Sequence, residues 1–134
     1  MAFGLRMLAR VAALLLAAAF GFFGYFKSFA ARAVLEQHHA WTTALPDLLG
    51  RAIGLSELIA AALLLIFGAI LSERRRIVAG VALYAIANQA CAALVHIMRG
   101  ETAALPQNAV LVSLAVLLIM TARIHQVQPE EKMG

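Results

Sequence analysis

Charge is scarce in this chain. Only 13% of its 134 residues are Asp, Glu, Lys or Arg, while 63% are apolar; soluble domains run near ~25% charged and ~45–50% apolar. A water-soluble fold of this length could not hide so much apolar surface, so lipid is the expected solvent. Cysteine is nearly absent as well. Cys91 stands alone, which excludes an internal disulfide, a CxxC redox pair and a cysteine-rich metal site within the chain. The same count argues against vitamin-K-reductase-like and thioredoxin-like membrane oxidoreductases. There is no internal repeat, no low-complexity stretch beyond alanine-rich runs, and no recognisable flavin, haem or iron–sulfur motif.

The charges that are present are basic, with a net charge of +4 and a pI near 10.0. Nucleic acid is rejected as a partner because these residues sit at the ends of apolar runs and not along a polar face. They read as membrane-orientation charges.

A membrane helix needs roughly 20 mostly apolar residues. The first run is Val11 to Phe26, extendable back to Leu5 past Arg6 and Arg10. The others are Leu48 to Leu71, Ile77 to Ile97, and a fourth that starts near Pro106 and ends by Ala122, where Arg123 can snorkel towards head groups. The expected fold is therefore all-α: one transmembrane domain over residues 1–134, an antiparallel four-helix bundle with spans near 5–26, 48–71, 77–97 and 106–122. From His125 onward the chain reads as a polar tail.

The first run also has features of a signal peptide, with Arg6 and Arg10 as a basic start and Ser28-Phe29-Ala30 as a small-x-small site. Its aromatic end (Phe20, Phe22, Phe23, Tyr25, Phe26) fits an interfacial belt better, and a retained span is expected. Arg6, Arg10, Arg74, Arg75, Arg76, Arg123 and Lys132 fall on one side of the four-span arrangement, and Lys27, Arg32, Arg51 and Arg99 on the other. Seven against four places both termini in the cytoplasm.

The connections differ. Ser72 to Arg76 allows only an antiparallel hairpin turn. Lys27 to Asp47 is long and interleaves Phe29, Val34, Leu35 and Trp41 with Arg32, Glu36, Gln37, His38 and His39. That composition fits either an amphipathic segment covering the outer end of the bundle or an ordinary surface loop. Pro46-Asp47 is a start signal for the second span.

Ionisable groups inside a span are expensive and normally face the bundle interior. Glu57 is therefore the most informative residue. It lies nine residues past Leu48, roughly 13 Å below the outer end at ~1.5 Å per residue. Gly54 and Ala61, at i−3 and i+4, make that face small enough for a neighbouring helix to approach closely. Arg51 lies nearer the interface and reads as a snorkelling anchor. On the third span Asn88 matches Glu57 in depth, and Gln89 shares a face with His96. Tyr84, Asn88 and Ala92 form an adjoining ladder. Lys27 ends the first span and Asn108 begins the fourth. In the antiparallel arrangement Lys27, Glu57, Asn88, Gln89, His96 and Asn108 converge on one cavity in the outer half. The inner half has no comparable polar set.

Bland alternatives accompany each residue. Glu57 could lock packing by pairing with Lys27 or His96, and Asn88 and Gln89 could be interhelical hydrogen-bond glue. His38 and His39 are expected to face solvent, and adjacent helical histidines make a poor metal pair; no metal site is expected. His125 and Cys91 read as incidental.

This order of features resembles the DoxX and DoxX-like family of small four-span bacterial membrane proteins. The matching pieces are Gly21 to Lys27, an aromatic, glycine-containing span ending in lysine; Gly54-Leu55-Ser56-Glu57 followed by Ala60, Ala61 and Ala62; a polar third span; and Pro106-Gln107-Asn108. Together they cover about residues 5–123. Ser28 stands where a large apolar residue is more usual, and Gln107 separates Pro106 from Asn108. The resemblance implies a four-helix bundle of the bacterial inner membrane. It also implies, for some members, quinone-linked sulfur oxidation or redox complexes, with redox subunits or a second copy of the chain as partners.

Three functions fit, and a purely structural subunit is a fourth. The first is a binding or accessory subunit that takes a quinone or lipid into the outward-half cavity, where Glu57 exchanges a proton or hydrogen bond with His96 or Lys27. The second is a proton-coupled exporter, although the small multidrug resistance proteins carry their essential glutamate in the first span, and this first span has no acid. The third is a lipid-modifying enzyme with Glu57 and His96 as acid and base.

Overall fold

A computed structural model describes residues 2–71 and 74–124. Four of its helices are long and apolar enough to cross a membrane, and among the described residues there is no strand. The protein is an all-α four-helix bundle. Helix α1 is Ala2–Phe29, α2 is the short Arg32–Gln37, and α3 is Asp47–Leu63, continued by a π-helical segment Leu64–Ile70. Helix α4 is Arg75–Met98 and α5 is Leu105–Ile124. Two short 3-10 turns, Trp41–Ala44 and Thr102–Ala104, lead into α3 and α5. The hairpin expected at Ser72 to Arg76 falls partly outside the described residues, as do His125, Lys132 and the polar tail.

The long helices run up, down, up and down. Around the bundle α1 lies between α3 and α5, and α4 closes the ring, packing chiefly on α5 and only lightly on α3. The interior is built from small residues and a few large ones: Ala12, Ala13, Leu16 and Phe20 of α1 meet Ala60 and Leu64, Ala82 and Ala85, and Leu111, Ala115 and Leu118. Alanine here is a packing device. Lipid tails are as apolar as leucine, so helices associate in a bilayer through close contact and hydrogen bonds, and small side chains allow that contact. Large apolar residues such as Leu15, Ile59, Leu83, Leu94 and Met120 point outward and are exposed. Such a surface is unfavourable in water and ordinary in lipid.

Helix α1 runs past the expected limit at Phe26 to Phe29. Two groups extend it. The Ser28 hydroxyl donates to the Gly24 carbonyl (2.7 Å), and the Arg51 guanidinium of α3 donates to the carbonyls of Lys27, Ser28 and Ala30 at 3.1, 3.2 and 2.5 Å. The last carbonyls of a helix have no partner within it, and a cation there satisfies them and complements the helix dipole. Arg51 is thus a cap for its neighbour and more than an interfacial anchor.

The first connection covers this end of the bundle, as one of its two readings expected. Leu35, Trp41 and Thr42 are buried beneath it. Arg32 ties α2 to the following turn by donating to the Thr43 carbonyl (3.0 Å). The turn in turn sits on the start of α3, where a Cβ added to Gly50 would lie 3.2 Å from the Thr42 carbonyl oxygen. His39, with φ of 54°, reverses the chain between α2 and the turn. Hereafter this segment is the lid and its end of the bundle the capped end.

Candidate functional site

The geometry of the site begins with two glycines. Gly24 of α1 and Gly54 of α3 face each other so closely that a Cβ on Gly24 would lie 2.7 Å from the Gly54 carbonyl oxygen. That approach sets the rotation of α1, and the next polar residue along it, Lys27, reaches across to α3. Its Nζ donates to Glu57 Oε1 (2.5 Å), and Asn88 Nδ2 of α4 donates to the same oxygen (2.7 Å). Glu57 is 1% exposed, so three helices meet at one buried carboxylate. The expectation that Glu57 and Asn88 lie at equal depth is met by a direct hydrogen bond. Beside this cluster, Tyr84 and Ser56 hydroxyls are 2.5 Å apart.

Lys27 also looks the other way, into a cavity of about 830 Å³ under the lid. Its Nζ lies 5.5 Å from the centroid of Trp41 and 6.0 Å from that of Phe23, within cation–π reach. Phe22, Phe23 and Phe26 of α1 form one wall. Gln89, Ala92 and His96 of α4 form a second, and Gln107 and Asn108 of α5 a third. The lid supplies His38, His39, Ala40 and Trp41. Four of the polar wall groups, Lys27, Gln89, His96 and Asn108, are buried, whereas His38, His39 and Gln107 are exposed.

All six residues singled out from the sequence are therefore buried at the capped end, in two layers. Lys27, Gln89, His96 and Asn108 line the cavity; Glu57 and Asn88 lie behind Lys27 and hold it. His96 does not meet Glu57. Its Nδ1 lies 2.9 Å from Glu101 Oε2, and His39 Nδ1 lies 2.9 Å from Glu101 Oε1. An ionised carboxylate only accepts, so both imidazoles donate from Nδ1. These hydrogen bonds, to His96 first and then to His39, together with the nearby Arg99, hold the Glu101 carboxyl below the usual carboxylate range. Arg99 adds a bond from its guanidinium to Thr43 Oγ1 (3.0 Å). The α4–α5 connection thereby fastens the lid over the cavity.

Sequence reasoning missed Glu101 and the functional placement of Trp41 and His39. His38 and His39 are exposed as expected, yet both border the cavity, and the His38 ring meets Phe26 edge-on at 5.6 Å. A signal for Glu101 existed: it is an acid five residues beyond His96, just past the end of a span. Four buried polar atoms lack a hydrogen-bond partner among the described residues: Trp41 Nε1, Thr42 Oγ1, Glu57 Oε2 and Asn108 Nδ2.

At the opposite end the buried side chains are apolar apart from Thr121, whose hydroxyl donates to the Leu118 carbonyl (2.9 Å). The cleft there holds about 70 Å³, between Arg6, Gly68, Arg75 and Thr121 among others. The asymmetry expected between the two halves is present.

Four apolar helices around an asymmetric polar interior define a multi-pass membrane protein whose surroundings are the lipid bilayer. A sequence model of the DoxX-like family matches residues 11–119, which takes in the second and third spans, most of the first and fourth, and every residue of the cluster, and the chain belongs to that family. No curated protein and no solved structure matches it. The departure at Ser28 has a local reason: a Cβ on Gly54 would lie 2.6 Å from Ser28 Oγ, so a large side chain in that rotamer would collide with α3.

Proposed function

We propose that this protein is a binding or accessory subunit of a membrane redox system, and that it takes a small amphipathic molecule, a quinone or another lipid, into the capped cavity. One observation carries the reading. A cavity of about 830 Å³ combines an aromatic wall with a few buried polar groups, of which Lys27 is held from behind by Glu57. Ligand sites typically measure ~300–1,000 Å³ and have this mostly apolar, sparsely polar lining. Lys27 is the pivot: Glu57, itself held by Asn88, fixes its ammonium group, and Trp41 and Phe23 flank it. Glu57 then acts through Lys27 as a proton or hydrogen-bond partner. The chain carries no redox group of its own in this reading, so electrons come from a partner subunit.

The proposed setting is the bacterial inner membrane, with both termini in the cytoplasm and the lid on the outer face. The excess of Lys and Arg at the end opposite the lid supports that orientation.

Native mass spectrometry of gently extracted protein tests the reading. The wild type is expected to carry a quinone- or lipid-sized adduct, and Asn108→Leu combined with Gln89→Leu is expected to lose it. If no adduct copurifies, and Glu57→Gln lowers thermal stability without any other effect, the binding reading is wrong.

A further inference from the structure

We infer that the cavity is loaded sideways from the bilayer, through a gap between α1 and α5 beneath the lid, by an amphiphile whose polar head is uncharged. The inference rests on the reading of the cavity as a ligand site and adds to it a route and a head-group chemistry.

The route follows from which elements build the walls. Helix α3, which supplies Glu57, contributes no lining residue. The fully buried core residues of α1 and α5 reach only as far as Phe20 and Leu111 towards the capped end. Beyond that level the two helices border the cavity instead. Phe22 of α1, 68% exposed, and Gln107 of α5, also exposed, both line it, so the cavity reaches the outer surface of the bundle between them. Both residues lie within membrane-span helices. Phe22 sits seven residues before the end of α1, roughly 10 Å along the axis at ~1.5 Å per residue, at a depth occupied by lipid chains. Phe22 and Phe26 stack in parallel there, 6.5 Å apart, as a flat apolar rim.

The face towards water is fastened. Glu101 bonds His39 of the lid, and Arg99 bonds Thr43 and, at 3.5 Å, the Ala40 carbonyl. These links resist displacement of the lid, and the exposed lining residues on this side, His38, His39, Gly100, Thr102 and Ala103, make the aqueous face the competing route that the test must exclude.

The head group follows from the polar groups that are already matched. Lys27 is neutralised by Glu57, and the Glu101 carboxylate accepts from two imidazoles. Lys27 is the one ammonium on the described lining and already has its carboxylate, which favours an uncharged head.

Trp41 is the sole tryptophan of the chain and reports on the cavity directly. The protein would be reconstituted in phosphatidylcholine vesicles whose acyl chains are increasingly brominated, and separately exposed to iodide in the aqueous phase. The expected result is loss of Trp41 emission with rising brominated fraction, little loss with iodide, and recovery of emission in brominated vesicles when Gln107→Phe plugs the gap. Phe22→Ala, which widens it, should deepen the lipid-dependent loss. Iodide quenching with brominated lipid silent, silence in both arms, or equal lipid quenching in wild type and Gln107→Phe would each overturn the sideways route. The two readings separate: a copurifying ligand together with iodide quenching keeps the binding function and removes the route, whereas lipid quenching of a protein that retains no ligand removes the binding function.

Discussion

Gly24 and Gly54 touch backbone to backbone, and a side chain on either would meet atoms that cannot swing aside. A Cβ on Gly54 would lie 2.8 Å from the Ser28 nitrogen and 2.9 Å from the Gly24 carbonyl oxygen. Gly54→Ala must therefore push α1 away from α3, and overpacking of this kind costs about 1–3 kcal/mol. Thermal unfolding in mild detergent should show a lowered midpoint for Gly54→Ala. Gly80→Ala is the control: a Cβ there meets nothing within 4 Å, so helix propensity alone should leave stability unchanged or slightly raised.

Lys27 and Glu57 form a buried ion pair in which each partner depends on the other. Removing one charge from such a pair costs about 3–5 kcal/mol because the survivor is left uncompensated, whereas replacing both by apolar groups of similar volume is often neutral. Lys27→Met and Glu57→Met are each expected to destabilise strongly, and the double variant to recover most of the loss. Additive losses in a thermal-unfolding double-mutant cycle would refute the coupling. Asn88→Leu should cost less, about 1–3 kcal/mol, since it removes one hydrogen bond to a carboxylate that keeps its lysine.

The lid fastening should be insensitive to pH until well into the acid range. Glu101 is held below the usual carboxylate range by His96, His39 and Arg99. A depressed carboxyl contributes stability that is fully present above its unfolded value, about 4.3, and is lost as pH falls through the lower folded value. Hydrogen–deuterium exchange of residues 32–44, corrected for intrinsic rates, should show constant protection of the lid as pH is lowered towards 5, with loss only below about 4. In Glu101→Gln the acid-dependent loss should disappear and protection should be lower throughout.

The bundle was legible because its signals are local. Each span is a continuous apolar run, and the depths of Glu57 and Asn88 follow from counting residues along straight helices. The small face around Glu57, Gly54 and Ala61, was legible too, and Gly54 is where α1 comes closest. What counting could not supply was rotation. Whether Lys27 or His96 turns towards Glu57 depends on the Gly24–Gly54 crossing, a relation between two helices that neither segment encodes alone. Arg51 reads as an anchor along its own helix and acquires its role as a cap only from where α1 happens to end. Glu101 escaped because its partners, His39 and His96, are separated by 57 positions and are joined through the path of the lid. That path depends on a reversal at His39, whose φ of 54° is uncommon for a residue other than glycine.

Helix α3 supplies the carboxylate that organises the interior and none of the surface that borders the cavity. The organising carboxylate and the cavity walls are thereby carried by different helices, with Lys27 of α1 shared between them. Substitutions at Phe22, Gln89 or Gln107 can reshape the walls along one side while the Lys27–Glu57–Asn88 junction keeps the charge balance at the centre.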